Sequence, residues 1–312
     1  MNLLELVRRV ESALDDAGVS FGHGTQNAFD EAAWLVLWAL HLPLDTLLTG
    51  EQSHNDQPLR ADAMATVDAL LAKRIQTRQP LAYLTREAWL KGVAFYVDER
   101  VIVPRSLIAE PLVDGQLDIF LPQTPQHVLD ICTGNGSLAV LAAMTYPQAS
   151  VTATDLSADA LAVARINLKK HGMQERVTLL QGDALSIPAL AEHGLFDLVL
   201  CNPPYVSAKS MATLPPEFLA EPDLALNGNQ LGGGDGMDFV RVLLGQTANY
   251  LQEQGVLVLE IGHERAHFEE AFPKLDALWL ETSAGGDQVL LLTRSDLLAA
   301  GLAAAPDSRF CR

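Results

Sequence analysis

Basic residues are scarce in this chain of 312 residues, which has 21 lysines and arginines against 39 aspartates and glutamates. The formal net charge is −18 with histidine neutral. Stable binding to DNA or RNA needs a basic face that neutralises phosphates, so this balance argues against it. An acidic surface instead favours a basic partner, such as a cationic protein.

Cysteine and long apolar runs are also lacking. Cys132, Cys201 and Cys311 are widely spaced and form no Cys-x-x-Cys pair, so neither a disulfide framework nor a zinc site is expected. No apolar run reaches the length of a membrane span, and the first residues lack the apolar stretch of a signal peptide. We therefore expect no bound metal, no membrane span and a cytoplasmic protein.

Hydrophobic residues make up 49% of the chain, enough for a sizeable core. Residues 1–84 have apolar side chains at helical spacing, with Asn27 as a candidate helix cap, and predict a small helical domain, which is either a structural cap or a substrate-recognition domain. Residues 85–104 predict a linking hairpin around Lys91-Gly92, followed by a short β-like run at 101–103. The catalytic domain is predicted at 105–298, and a tail at 299–312.

From residue 105 onward, continuous apolar runs alternate with helical stretches. This alternation predicts an α/β fold with a parallel sheet that is covered by helices on both faces. The predicted strands are 127–131, 151–154, 177–180, 198–201, 256–260 and 289–292, and the predicted helices include 159–170 and 237–251. Glycines at 232–236 predict a mobile loop.

A glycine loop follows the first of these strands. It consists of Cys132, Thr133, Gly134, Asn135 and Gly136. Such a turn lets the backbone approach a ligand, and the following helix offers free N–H groups. Asp155, next to Leu156, ends the second strand, where an acid can bridge the hydroxyls of a ribose. Taken alone, the pattern also fits a dinucleotide-binding fingerprint.

Two further acids favour S-adenosylmethionine over a dinucleotide. Asp130 precedes the loop, and its carboxylate suits an ammonium group but repels a pyrophosphate. Asp183 and Ala184 follow the third strand, where they can hydrogen-bond an adenine ring. Asp183 fits a turn or a helix cap equally well.

The fourth strand ends in Asn202-Pro203-Pro204-Tyr205. The two prolines fix two φ angles, remove two N–H donors and hold Asn202 in an extended conformation. We expect the Asn202 side-chain oxygen and the Pro203 carbonyl to face one point, which suits a planar NH₂ group with two donors. Tyr205 would provide a flat face above that group. Oriented in this way, a weakly nucleophilic amide nitrogen needs only an in-line methyl donor.

Together these motifs resemble class I S-adenosylmethionine-dependent methyltransferases with an Asn-Pro-Pro-Tyr tetrad, and specifically the bacterial protein glutamine methyltransferases. The likeness extends over nearly the whole chain and includes the segment 103–110. Gly22-His23-Gly24-Thr25 and Cys132 resemble the subtype that acts on ribosomal protein L3. The resemblance implies a Rossmann-like fold with a mixed seven-stranded sheet.

The same resemblance implies residue roles. Asn202, Pro203, Pro204 and Tyr205 would hold the glutamine amide. The S-adenosylmethionine site would comprise Asp130, Cys132, Thr133, Gly134, Asn135, Gly136, Asp155, Leu156, Asp183, Ala184 and Asn202. The substrate would be ribosomal protein L3, free or in a ribosome precursor.

Some features of the sequence depart from the family, and the roles of a few residues stay open. The segment 227–234 is longer than in the family, and Cys132 replaces a glycine, so it must tolerate a negative φ or accept strain. Arg105 and Glu110 either close the site or begin a helix that Ser106 caps. His23, flanked by glycines, is expected to be solvated.

Three alternatives remain at this point. The same chemistry can act on peptide chain release factors. An Asn-Pro-Pro-Tyr tetrad also serves methylation of adenine amino groups in nucleic acid, although the net charge argues against it. The glycine loop alone also fits an NAD-type dehydrogenase or a nucleotide-binding assembly protein.

Overall fold

The computed structural model describes residues 1–50 and 59–302. Four helices and a hairpin come first: α1 (Leu3–Asp16), α2 (Ala28–Ala39), α3 (Ala61–Thr77), α4 (Leu81–Thr85), β1 (Ala88–Leu90) and β2 (Val93–Phe95). Asn27 accepts a hydrogen bond from the backbone N–H of Asp30, so the predicted cap of α2 is confirmed. Lys91 and Gly92 both have positive φ, as a two-residue hairpin turn requires.

A seven-stranded sheet forms the rest of the framework. Its strands are β3 (His127–Ile131), β4 (Ser150–Asp155), β5 (Val177–Gln181), β6 (Phe196–Cys201), β7 (Leu251–Glu260), β8 (Leu278–Thr282) and β9 (Gly285–Thr293). The spatial order is β5-β4-β3-β6-β7-β9-β8, with antiparallel pairing only where β9 meets β7 and β8. The predicted mixed seven-stranded sheet is therefore confirmed.

Helices cover the sheet and surround its carboxyl edge. They are α5 (Ala109–Val113), α6 (Ser137–Thr145), α7 (Ala158–Lys170), α8 (Ala208–Met211), α9 (Pro216–Leu219), α10 (Asp223–Leu226), α11 (Asp238–Thr247), α12 (Arg265–Ala271) and α13 (Arg294–Ala299). Apolar side chains of α6 and α11 belong to two different buried clusters that share the strands of the sheet. Within the described ranges, no helix is long and apolar enough to cross a membrane.

Three local expectations were wrong. The predicted helix 237–251 ends at Thr247, and β7 begins at Leu251 rather than 256 because Leu251 pairs with Phe196. The run 101–103 is not a strand, since the N–H of Val103 donates to the Glu221 carboxylate instead of to a ladder. In the glycine-rich segment 232–236, Gly233 N donates to Asp238 and Gly236 N donates to Asn229, and the mobility of this loop stays a prediction.

Two further expectations stay predictions. The division of the chain at residues 84, 104 and 298 rests on sequence patterns alone. Most of the predicted tail, residues 303–312 with Cys311, lies outside the described residues.

A buried arginine connects the first helices with the segment after β6. Arg74 of α3 is fully buried, and its Nε lies 2.7 Å from Glu31 Oε1 of α2. Its Nη1 lies 3.4 Å from Glu217 Oε1 of α9, and its Nη2 donates to the Ser20 carbonyl at 3.1 Å. Both acids are buried as well; Glu31 depends on Arg74 for neutralisation, whereas Glu217 also pairs with Arg78, whose Nε lies 3.1 Å from Glu217 Oε1.

We predict that Arg74→Met lowers the free energy of unfolding by about 3–5 kcal/mol, because it leaves the buried Glu31 carboxylate without its arginine partner. Urea unfolding at neutral pH measures this change. Arg60→Ala is the matched control, since Arg60 pairs with Asp62 in an exposed position and should change stability by less than about 1 kcal/mol. Equal losses in the two variants would contradict the prediction.

Candidate active site

A cavity of about 900 Å³ opens at the carboxyl edge of the sheet. The chain runs from β3 outward through β4 and β5 and then returns to β6 on the other side of β3. Ligands bind at such a reversal of strand order in open α/β sheets. The loops after β3, β4, β5 and β6 all line this cavity.

The glycine loop has the left-handed backbone that its sequence suggested. Cys132, Gly134 and Gly136 have φ values of 59°, 55° and 81°. A Cβ at Gly136 would lie 3.2 Å from Ala164 Cβ of α7, so this glycine also permits the helix to pack closely. Cys132 therefore accepts backbone strain rather than a negative φ.

Asp130 lies beneath this loop rather than on the cavity wall. Its side chain is fully buried, and Oδ2 accepts hydrogen bonds from Thr133 Oγ1 at 2.5 Å and Ala139 N at 3.1 Å. Burial raises the pKa of Asp130 to about 7, although these two hydrogen bonds oppose the shift. In this position Asp130 braces the loop against the start of α6, and its predicted contact with an ammonium group stays a prediction.

Asp155 and Asp183 lie at the ends of the next two strands, and both line the cavity with Leu156 and Ala184. Asp155 accepts hydrogen bonds from the N–H groups of Gly134 and Ser157, each at 2.9 Å. Burial raises its pKa in spite of these bonds. The acid therefore joins the two loops while it faces the cavity.

Three polar atoms around the loop are buried and have no hydrogen-bond partner within the described part of the chain. They are Asp130 Oδ1, Asn135 Nδ2 and Thr154 Oγ1. Asn135 and Thr154 line the cavity. Buried polar atoms are normally satisfied, so the unpartnered Asn135 and Thr154 atoms indicate that a polar ligand completes this part of the cavity.

The tetrad from Asn202 to Tyr205 follows β6, the strand next to β3, and all four residues line the cavity. Pro203 and Pro204 are buried, whereas Asn202 is partly exposed. In the described ranges the Asn202 side chain has no hydrogen-bond partner, which leaves its amide available to a ligand. The expected convergence with the Pro203 carbonyl stays a prediction.

Tyr205 is fixed from behind by Glu260, the last residue of β7. The Tyr205 hydroxyl donates to Glu260 Oε1 at 3.3 Å, and Oε2 accepts from Ser106 Oγ at 2.6 Å and Leu107 N at 2.9 Å. A Cβ at Gly262 would lie 2.5 Å from the ring, so only glycine fits there. Burial raises the pKa of both Glu260 and Tyr205.

A second buried acid, Glu221, organises the cavity entrance. It accepts two hydrogen bonds from Arg105, at 2.6 and 2.7 Å, and one from Val103 N at 2.8 Å. Burial alone would raise the pKa of Glu221, but the charge and hydrogen bonds of Arg105 and the nearby His23 ring lower it to about 2. Arg105 is thus bound to an acid at the site.

Several expectations about neighbouring residues change. His23 is buried, not solvated, because it packs on Phe218 and contacts Glu221. Ser106 donates to Glu260, and its Oγ also accepts from the N–H of Ile108, the N-cap residue of α5, at 3.3 Å. Glu110 lies in the first turn of α5 and accepts from Ser283 N at 2.7 Å.

The roles of Glu260, Glu221 and His23 were missed by sequence reasoning. For Glu260 there was a signal, because it is a carboxylate that ends the apolar run 256–259. Within residues 1–50 and 59–302, no group of three or more acidic, cysteine or histidine side chains is arranged to hold a metal ion.

Comparisons with known proteins show what this chain is similar to. A family model described as methyltransferase small domain matches residues 116–229. A ribosomal protein uL3 glutamine methyltransferase from Burkholderia pseudomallei is 50% identical over 300 residues, covering 95% of each chain. A protein of the same description from Bordetella pertussis is 49% identical over 297 residues, covering 95% of this chain and 96% of that one. A solved methyltransferase from Pyrococcus furiosus is 18% identical with a TM-score of 0.45, covering 66% of this chain and 90% of that one.

The buried Asp130 predicts a distinctive pH dependence of stability. Its folded-state pKa of about 7 lies above the ordinary value of 3.8, so the folded protein holds a proton that the unfolded chain releases. Stability should therefore fall as pH rises from about 4 to 7, by up to ~4 kcal/mol. Asp130→Asn keeps an acceptor for Thr133 and Ala139 and should lack this decline.

Urea unfolding of both proteins between pH 4.5 and 7.5 tests this expectation, because the difference between them isolates Asp130 from the other titrating groups. The variant should gain stability relative to the unchanged protein as pH rises. A difference that stays constant over this range would show that Asp130 is ionised in the folded protein.

Proposed function

The chain belongs to the family of ribosomal protein uL3 glutamine methyltransferases, and on that premise we propose that it methylates the side-chain amide nitrogen of a glutamine in ribosomal protein uL3. The observation that carries the proposal is the unpartnered amide of Asn202, which lies in the same cavity as the glycine loop and Asp155. The Asn202 tetrad offers acceptors for a substrate amide, and the loops after β3, β4 and β5 offer polar groups for a nucleoside.

The substrate side of the cavity orients the glutamine amide. An amide nitrogen is a weak nucleophile because its lone pair is delocalised, so its orientation must be fixed before reaction. The Asn202 oxygen and the Pro203 carbonyl accept from the two N–H groups of the amide, and Tyr205 packs against its plane. The hydrogen bond from Tyr205 to Glu260 restricts the ring, which reduces the entropy lost on substrate binding.

We assign the part of the cavity formed by the loops after β3, β4 and β5 to S-adenosylmethionine, which would supply an electrophilic methyl group on a sulfonium. Asp155 would accept hydrogen bonds from ribose hydroxyls, and Asp183 with Ala184 would recognise the adenine. The loop from Cys132 to Gly136 lies against the start of α6, with Asn135 and Thr154 as unsatisfied polar groups. Asp130 would hold the loop in this shape from below.

The charge of the chain favours the proposed protein substrate. A protein that binds ribosomal RNA carries basic surfaces, whereas this chain has a net charge of −18. Electrostatic attraction would draw the two proteins together in the cytoplasm, whether the substrate is free or part of a ribosome precursor. The same charge opposes binding of nucleic acid substrates.

Mass spectrometry tests the substrate directly. Purified protein is incubated with S-adenosylmethionine and, in separate reactions, with uL3, with peptide chain release factors and with adenine-containing oligonucleotides. We expect one glutamine of uL3 to gain a single methyl group and the other substrates to stay unmodified. Methylation of release factors alone would refute the substrate assignment while leaving the chemistry intact. Methylated adenine would refute the protein substrate altogether.

We further predict that Asn202→Ala lowers the rate of methyl transfer by about 10²–10³-fold, because the substrate amide loses a fixed acceptor. The affinity for S-adenosylhomocysteine, measured by titration calorimetry, should change less than about threefold. Asp155→Ala is the contrasting variant and should weaken this affinity. If Asn202→Ala lost cofactor affinity and transfer to the same extent, the assignment of Asn202 to the substrate side would be wrong.

A further inference from the structure

The turn from Gly22 to Gln26 lines the same cavity as the Asn202 tetrad, although more than half of the chain separates the two in sequence. It lies between α1 and α2, outside the sheet that carries the glycine loop. Gly22, Gly24, Thr25 and Gln26 contribute to the wall, while His23 points away and is buried. The first helices therefore help to form the reaction cavity itself.

The backbone of this turn is rigid. The N–H of Gly22 donates to the Thr25 carbonyl at 2.8 Å, and Gly22 and Gly24 have φ values of 123° and 104°. Residues other than glycine rarely adopt such values. A Cβ at Gly22 would also lie 3.1 Å from the Phe218 ring. The turn is therefore adapted in sequence to one shape against α9.

His23 holds the turn against the catalytic part of the chain. Its side chain is 3% exposed, its ring lies 4.3 Å from that of Phe218, and its Nε2 lies 3.4 Å from Glu221 Oε2. Arg105 completes this cluster, since it binds Glu221 with two hydrogen bonds and lies 5.4 Å from the Phe218 ring centre. The position of the turn thus depends on residues that surround the reaction cavity.

The other end of the turn is fixed independently. Thr25 Oγ1 donates to Glu31 Oε2 at 3.3 Å, and Glu31 is the partner of buried Arg74. Arg74 in turn contacts Glu217 of α9. Two buried ionic clusters therefore hold the turn at the cavity with little freedom to move.

The chemistry of the exposed side of the turn matches a polypeptide main chain. Gly24 and Gln26 are exposed, and neither carries a charge. The Gln26 side chain has no hydrogen-bond partner in the part of the chain that the structure describes, so it keeps both a donor and an acceptor. A peptide unit also offers one donor and one acceptor, which match the donor and acceptor of the Gln26 side chain.

We propose that the turn from Gly22 to Gln26 is a subsite for the substrate main chain beside the target glutamine, and that His23 is the positioning residue that fixes it. This inference rests on the proposed function, because it places the polypeptide that carries the methylated side chain. The subsite contributes to binding of the protein substrate and takes no part in the methyl transfer step.

Steady-state kinetics with purified uL3 and S-adenosylmethionine test the subsite. Gln26→Trp replaces an exposed side chain that lines the cavity, and it should raise KM for uL3 by about tenfold, as expected when one well-placed side chain no longer binds the substrate. Its kcat, its affinity for S-adenosylhomocysteine and its melting temperature should stay unchanged. Gln123→Trp, an exposed glutamine outside the cavity, is the matched control and should leave KM unchanged.

His23 is tested by a pair of variants. His23→Leu removes the interaction with Glu221 and should raise KM for uL3 by about tenfold, while His23→Gln keeps an N–H donor and should restore most of this loss. A merely structural role would lower the melting temperature and the affinity for S-adenosylhomocysteine while it raised KM, and this result would overturn the assignment of His23. If His23→Leu does not fold, the KM values of Gln26→Trp and His23→Gln for uL3 still test the proposed subsite.

The unchanged protein separates the two proposals. If it methylates uL3 and Gln26→Trp has the same KM as the unchanged protein, the subsite is refuted and the proposed function stands. If the unchanged protein transfers no methyl group to uL3, both proposals fail. A raised KM in Gln26→Trp alone, with normal kcat and cofactor affinity, supports the subsite.

Discussion

The parallel register of three central strands is the constraint on which the site depends. Ile131 of β3 pairs with Thr154 of β4 on one side and with Cys201 of β6 on the other, so the three strands end at one level. The loops that follow must then meet at one edge of the sheet. A slip by one residue in either pair would turn the side chains of a strand to the opposite face. The glycine loop, Asp155 and Asn202 are neighbours only in this register.

Two buried acids fix the position of a segment that lies outside the sheet. Glu260 ends β7 and binds Ser106 and Leu107, whereas Glu221 binds Val103 and Arg105. The short segment 103–107 is therefore held between two carboxylates from distant parts of the chain, without belonging to a helix or strand. Buried ion pairs contribute little net stability but are costly to break, so their effect here is to specify one arrangement of the cavity wall.

The sequence was informative where function depends on neighbouring residues. The glycine loop, Asp155 and the Asn202 tetrad each follow an apolar run directly, and the strand order of the sheet brings them together. Glu260 and His23 could not be assigned in the same way, because their partners lie far along the chain; Ser106 and Glu260 are separated by 154 positions. His23 looked solvated from its glycine neighbours, yet Phe218 and Glu221 bury it. The early start of β7 was missed because its first residues are polar and exposed apart from Leu251.

The distribution of charge in the cavity bears on the proposed reaction. Glu260 is engaged by Tyr205, Ser106 and Leu107, and Asp155 is engaged by two backbone N–H groups. Neither acid is free to act as a strong base beside Asn202. The groups that remain for the substrate amide are neutral acceptors, which orient it without a charge that must be desolvated on binding. This arrangement of acceptors suits a methyl transfer that is limited by the orientation of the nucleophile. A strong base is not required, because the proton left on the methylated amide nitrogen is acidic enough to pass to water.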